Sequence, residues 1–88
     1  MAEITRFLGM SMGFCEDYTA NAHVHIHYHP YNCTINADNF TIHSGSLPPR
    51  VAALALEWVM LNNEAIKRNW NVYKTGGTNV SVIPPLVA

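Results

Sequence analysis

Four histidines occupy every second position of one short run, His23-Val24-His25-Ile26-His27-Tyr28-His29. That strict alternation has the two-residue period of an extended strand, whose successive side chains leave on opposite faces. His23, His25, His27 and His29 therefore fall on one face. Val24, Ile26 and Tyr28 fall on the other, where they can enter a core. Imidazole both ligates metals and moves protons near neutral pH, so this row is the candidate for chemistry beyond folding.

The flanking segments continue the two-residue period. In residues 7–14, Leu8, Met10, Met12 and Phe14 oppose Gly9, Ser11 and Gly13. One strand is expected there, its large side chains inward and its small ones leaving an open floor. Pro30 interrupts the histidine strand. In residues 31–37, Tyr31, Cys33, Ile35 and Ala37 form the apolar set, and Asn32, Thr34 and Asn36 the polar one. Residues 40–44 repeat the pattern, with Thr41 and His43 polar. Short connections favour antiparallel neighbours, so three or four strands should form a meander over about residues 4–44.

A helical part is expected over about residues 47–75, with Ser46 as cap and Pro48 or Pro49 in the first turn. Residues 51–61 carry one charge, Glu57, so this segment is either central or covered by a partner. Asn62-Asn63 bends or breaks the helix. Glu64 can pair with Lys67 or Arg68, Trp58 and Trp70 suit core or interface positions, and Gly76-Gly77 stops the helix. Residues 76–88 form a tail or edge strand. The fold class is α+β: an antiparallel meander packed on one face by one or two C-terminal helices, in a single domain over residues 1–88.

Eighty-eight residues bury about 60% of the unfolded surface, so a partner or ligand would add to a slender stability. Charged residues are only 12%, and the net charge is −1, which argues against general attraction to nucleic acid but leaves room for a local patch. Protonating all five histidines would carry the balance to +4. The first ten residues lack a basic segment leading into an apolar run, and no stretch is long enough to span a bilayer. Two cysteines, Cys15 and Cys33, make neither a disulfide framework nor a zinc ribbon. A cytoplasmic protein with reduced thiols and no membrane association is expected.

Neighbouring imidazoles on a strand lie roughly 6.7 Å apart along it, close enough to share an ion. A Zn, Cu or Ni site would draw on His23, His25, His27, His29 and His43, for example a pair such as His23 and His25 with a third ligand from Cys15, Glu16, Asp17 or His43. His23 and His29 are roughly 20 Å apart, so one ion cannot use all four rings. Without metal, two histidines with separated proton affinities can serve as acid and base in RNA cleavage, with Arg50, Lys67, Arg68 or Lys74 holding the phosphate. The plain alternative is a polar strand facing water, with solvated cations.

Three segments resemble the domain-of-unknown-function family DUF4160: Glu3-Ile4-Thr5-Arg6-Phe7-Leu8-Gly9, the strand His23-Val24-His25, and Leu47-Pro48-Pro49-Arg50 leading into Leu56-Glu57-Trp58 and Asn69-Trp70. The resemblance implies a small α+β domain that looks like the toxin half of a bacterial toxin–antitoxin pair. It implies His23 and His25 as catalytic residues and a cognate antitoxin as partner. The family's Asp-Asp-His-Asn-Pro-Pro lead-in is replaced by residues 16–22, longer by one and lacking that histidine and both prolines. His27 and His29 are additions. The expected function is thus a toxin-like protein with RNA-directed activity on the histidine strand. The alternatives are a metal-binding module without enzymatic activity and a pure interaction domain. The segment 51–61 is the expected surface for a homo-oligomer or for the antitoxin.

Overall fold

The structure, a computed structural model, describes residues 2–14, 22–76 and 82–85. It is the expected α+β arrangement, with one strand more than the upper expectation. Strands β1 (Ala2–Phe7), β2 (Met10–Phe14), β3 (His23–Tyr28), β4 (Tyr31–Asn36) and β5 (Ile42–Gly45) form one antiparallel sheet in the order of the chain. Helices α1 (Pro49–Leu61) and α2 (Asn63–Lys74) follow.

The extra strand comes from a turn inside residues 7–14. Leu8 and Gly9 both have positive φ, 49° and 81°. Phe7 pairs with Met10, so these two residues close a β-hairpin of the kind whose twist matches its strands. The alternating sizes of Leu8, Gly9, Met10 and Ser11 conceal this turn, and they put Leu8, expected to face inward, on the outside. Leu8 is more than half exposed, which lets a bulky side chain tolerate the left-handed conformation.

Cross-strand rows sort the side chains cleanly. Met12 stands opposite Ile26, and Ile26 opposite Cys33; all three are buried. They join Ile4, Phe7, Met10, Phe14, Val24 and Ile35 beneath Ala55, Trp58, Val59, Ile66 and Trp70 of the helices. Phe14 meets Trp70 edge-on at 5.4 Å between ring centroids, and Phe7 meets Trp58 at 6.3 Å. The Cys33 thiol lies in this core, and burial pushes its pKa up. Tyr31 departs from the apolar set and is exposed where β4 leaves the turn.

Helix α1 starts at Pro49 without a side-chain cap, so Ser46 does not cap it. It ends at Asn62, whose amide Nδ2 and backbone N–H both donate to the Trp58 carbonyl. The Asn62 carbonyl accepts from Ile66 N–H and opens α2. Helix α2 ends before Gly76, at φ 84°. Asn63 Nδ2 donates to the Ala37 carbonyl, and Lys67 pairs with Asp38 at 3.1 Å rather than with Glu64. Both contacts tie α2 to the turn after β4. Along β1, Ile83 N–H donates to the Ile4 carbonyl at 2.7 Å, and Trp58 Nε1–H donates to the Pro84 carbonyl at 3.0 Å. The described part of the C-terminal segment thus covers the β1 edge without itself being a strand. Among the described residues, no helix is long and apolar enough to cross a membrane.

Replacing Leu8 by Asn should raise stability by about 1 kcal/mol, because Asn tolerates positive φ better. Urea denaturation should show a higher midpoint at unchanged slope. Cys33 should react with a thiol reagent only as fast as the chain unfolds; rapid labelling of a Cys15→Ser protein in the native state would contradict the burial.

Candidate functional site

The side of the sheet away from the helices carries two parallel rows of polar residues. In one, Arg6 pairs with Ser11, Ser11 with His27, and His27 with Asn32. In the other, Glu3 pairs with Gly13, Gly13 with His25, His25 with Thr34, and Thr34 with Ser44. Successive members of a row are about 4.8 Å apart across the strands. Arg6 is fixed on this side because its neighbours Thr5 and Phe7 pair with the core residues Met12 and Met10. A bulge between Glu3 and Thr5 admits one extra residue, the buried Ile4. It therefore places Glu3 and Arg6 on the same face, where three-residue spacing in a regular strand would oppose them. Arg6 Nη2 lies 2.9 Å from Glu3 Oε1, and Arg6 Nε donates to the same oxygen at 3.0 Å.

Gly13 is not part of an open floor. A Cβ there would lie 2.2 Å from the Ala2 carbonyl oxygen, so β1 backbone already fills that space. Gly9 is in the hairpin turn. Ser11 alone of the three small residues presents a half-buried side chain to the polar face.

The four alternate histidines have different fates. His27 is exposed and His25 half-buried, and both rings converge on Asn32: Oδ1 lies 2.8 Å from His27 Nδ1 and 3.3 Å from His25 Nε2. An amide oxygen only accepts, so with Oδ1 facing both rings each contacting nitrogen is the donor. Donation to Oδ1 would put the proton of a neutral His27 on Nδ1 and that of a neutral His25 on Nε2. The basic nitrogens of the neutral rings are then His27 Nε2 and His25 Nδ1. His29 sits beyond the strand end, in the two-residue turn whose His29–Pro30 peptide bond is cis, with its ring 6.2 Å from that of His27. His23 is only 7% exposed. Its ring packs 4.6 Å from that of His43 and 6.3 Å, edge-on, from the core indole of Trp70. The alternation of the sequence therefore places the histidines on one strand face, but the helical layer reaches the first of them.

The catalytic pair expected from the sequence, His23 and His25, is thus split between a buried end and an open face, while His25 and His27 share one partner. Among the described residues, no three His, Cys, Asp or Glu side chains gather as a metal-ligand group, so His23, His25, His27, His29 and His43 do not form one centre. The suggested third ligands Cys15, Glu16 and Asp17 lie outside the described residues. Asn36, the last residue of β4, and Thr41 are taken up by the turn that follows: Asn36 Oδ1 accepts from Asp38 and Asn39 N–H, and Asn39 Oδ1 from Thr41. Lys67 is engaged with Asp38. A single strand over residues 7–14 leaves Arg6 and Glu3 without a place on this face. The available signal was Gly9, which permits a hairpin that brings β1 beside the small-residue face of β2.

If Asn32 sets the two tautomers, Asn32→Ala should mix them. Long-range ¹H–¹⁵N correlation of the imidazoles should then show His27 losing its pure Nδ1–H pattern; an unchanged pattern would remove Asn32 from this role.

A family model described as Domain of unknown function (DUF4160) matches residues 9–71. No curated protein and no solved structure matches the chain.

Proposed function

The chain belongs to the DUF4160 family, and we propose that it is the toxin-like component of a bacterial toxin–antitoxin pair, with metal-independent acid–base activity toward RNA centred on His25 and His27. The observation that carries this reading is the pair of imidazoles converging on one amide oxygen, His27 Nδ1 at 2.8 Å and His25 Nε2 at 3.3 Å from Asn32 Oδ1, with His27 in the same cross-strand row as Arg6 two strands away. Cleavage of a phosphodiester without metal needs a base to take the proton of the attacking hydroxyl and an acid to protonate the leaving oxygen. His27 Nε2, on the exposed ring, suits the base, and a protonated His25 Nδ1 suits the acid. His23, packed against His43 and Trp70, positions the start of β3 in this reading and does not contact substrate.

A protein partner is supported by α1. Met60 and Leu61 are 56% and 69% exposed, and with Ala53, Leu54 and Leu56 they border a groove interrupted only by Glu57. Apolar side chains exposed together on one helix face suit contact with another protein. The antitoxin, or a second copy of the chain, is the partner proposed for it. The adjacency of His25 and His27 also supports a second reading, a Zn-, Cu- or Ni-binding module without enzymatic activity, in which these rings supply two ligands.

Three measurements separate these readings. Purified protein should cleave single-stranded RNA in excess chelator, and His27→Ala or His25→Ala should slow it by about 10²–10⁴-fold. Stoichiometric metal uptake without cleavage would select the metal-binding reading. Expression of the wild type should arrest growth, and a Met60→Glu/Leu61→Glu variant should fold but fail to be neutralised by the antitoxin. Normal growth of the wild-type expressor would overturn the toxin role.

A further inference from the structure

The geometry points to a phosphate-binding site on the open sheet face, formed by the Arg6 guanidinium and the Ser11 hydroxyl beside the His27 imidazole, with Glu3 as an internal anion that competes for Arg6. This deepens, and rests on, the reading of the face as a phosphodiester site. Its ligand class is the phosphate group of a nucleic-acid strand.

The placement follows from register. Arg6, Ser11 and His27 are consecutive members of one cross-strand row. Arg6 and His27 are therefore about 10 Å apart at the backbone, with a short hydroxyl side chain between them. That backbone separation, with only a short side chain between, is wide enough for Arg6 turned away from Glu3 to hold one tetrahedral anion above Ser11, beside His27. A guanidinium offers planar paired donors to phosphate oxygens, and the hydroxyl adds a third. Arg50, Arg68 and Lys74 lie on the helices, and Lys67 pairs with Asp38. Arg6 is thus the cation that the fold puts in the histidine rows.

The Glu3 contact gives the site a built-in competitor. Through the β1 bulge, Glu3 stands in the row of His25, so the ion pair draws the guanidinium along the strand toward that row. Both side chains are well exposed, and an exposed pair of this kind contributes little to stability. It can exchange readily for a ligand. A phosphate displaces the Glu3 carboxylate from Arg6 and finds His27 on its far side, which delivers the scissile bond to the exposed imidazole.

The test is binding, read separately from cleavage. Inorganic phosphate, and in parallel a short 2′-O-methyl oligonucleotide that lacks the attacking hydroxyl, are titrated into labelled protein while the Arg6 Nε–H and His27 ring resonances are followed. Both probes should shift these signals. Arg6→Gln should weaken oligonucleotide binding by about tenfold, the loss expected for one charge-assisted contact. Arg6→Lys should restore part of it, and Glu3→Gln should tighten binding several-fold. Because these residues are exposed, the variants should retain the wild-type melting curve. Shifts confined to other residues, or unchanged affinity in Arg6→Gln, would overturn the site even if the protein cleaves RNA. Binding lost in Arg6→Gln and strengthened in Glu3→Gln would uphold it even if no cleavage occurs, in which case the catalytic reading alone fails.

Discussion

One pairing register holds this protein together, and the row Met12–Ile26–Cys33 shows it most plainly. The three side chains meet across β2, β3 and β4 beneath the helices. A slip of one residue in β3 would exchange faces, driving His25 and His27 into the core and Val24 and Ile26 into water. Burying two imidazoles without partners costs several kcal/mol, and losing two aliphatic side chains costs about as much again. The apolar row therefore specifies the polar rows on the reverse side. The candidate site is the obverse of the hydrophobic core.

The sheet's two edges are treated differently. At β1, Ile83 bonds to Ile4, and Pro84 receives the Trp58 indole N–H, so the C-terminal segment joins sheet edge to helix. At β5, every residue is exposed, the strand is four residues long, and its pairing shifts register between Thr34 and Ile35. Short, irregular edges resist adventitious pairing. That difference leaves the polar face of β1 to β4 as the orderly surface, with Glu3 and Arg6 at one margin and Asn32 and Thr34 at the other.

The chemistry of that surface depends on irregularities as much as on regular strand. A bulge puts Glu3 beside Arg6, and a close backbone approach demands glycine at position 13. An asparagine on β4 stands within hydrogen-bond distance of two rings on β3. The apolar surface of α1 lies on the other layer, so a protein bound there need not cover the histidines. Under the proposed function, a partner on α1 would act by a route other than simple occlusion of the site.

The sequence by itself determined the strand character of the histidine run, the in–out pattern of β3 and β4 apart from His23 and Tyr31, the placement of Cys33 in the core and the break at Asn62-Asn63. All of these follow from local period or local hydrogen-bonding capacity, which a chain carries without folding. It also carried enough family signal to be recognised over most of its length. Only the tertiary structure decided that His23 is enclosed, because the rings of Trp70 and His43 arrive from α2 and the β5 region. Only it brought Arg6 and Glu3 into the histidine rows. The Leu8–Gly9 turn is masked by side chains that keep the alternation of a continuous strand, and a bulge has no periodic trace. Neighbours across a sheet are set by register, and register is a property of the whole packed layer.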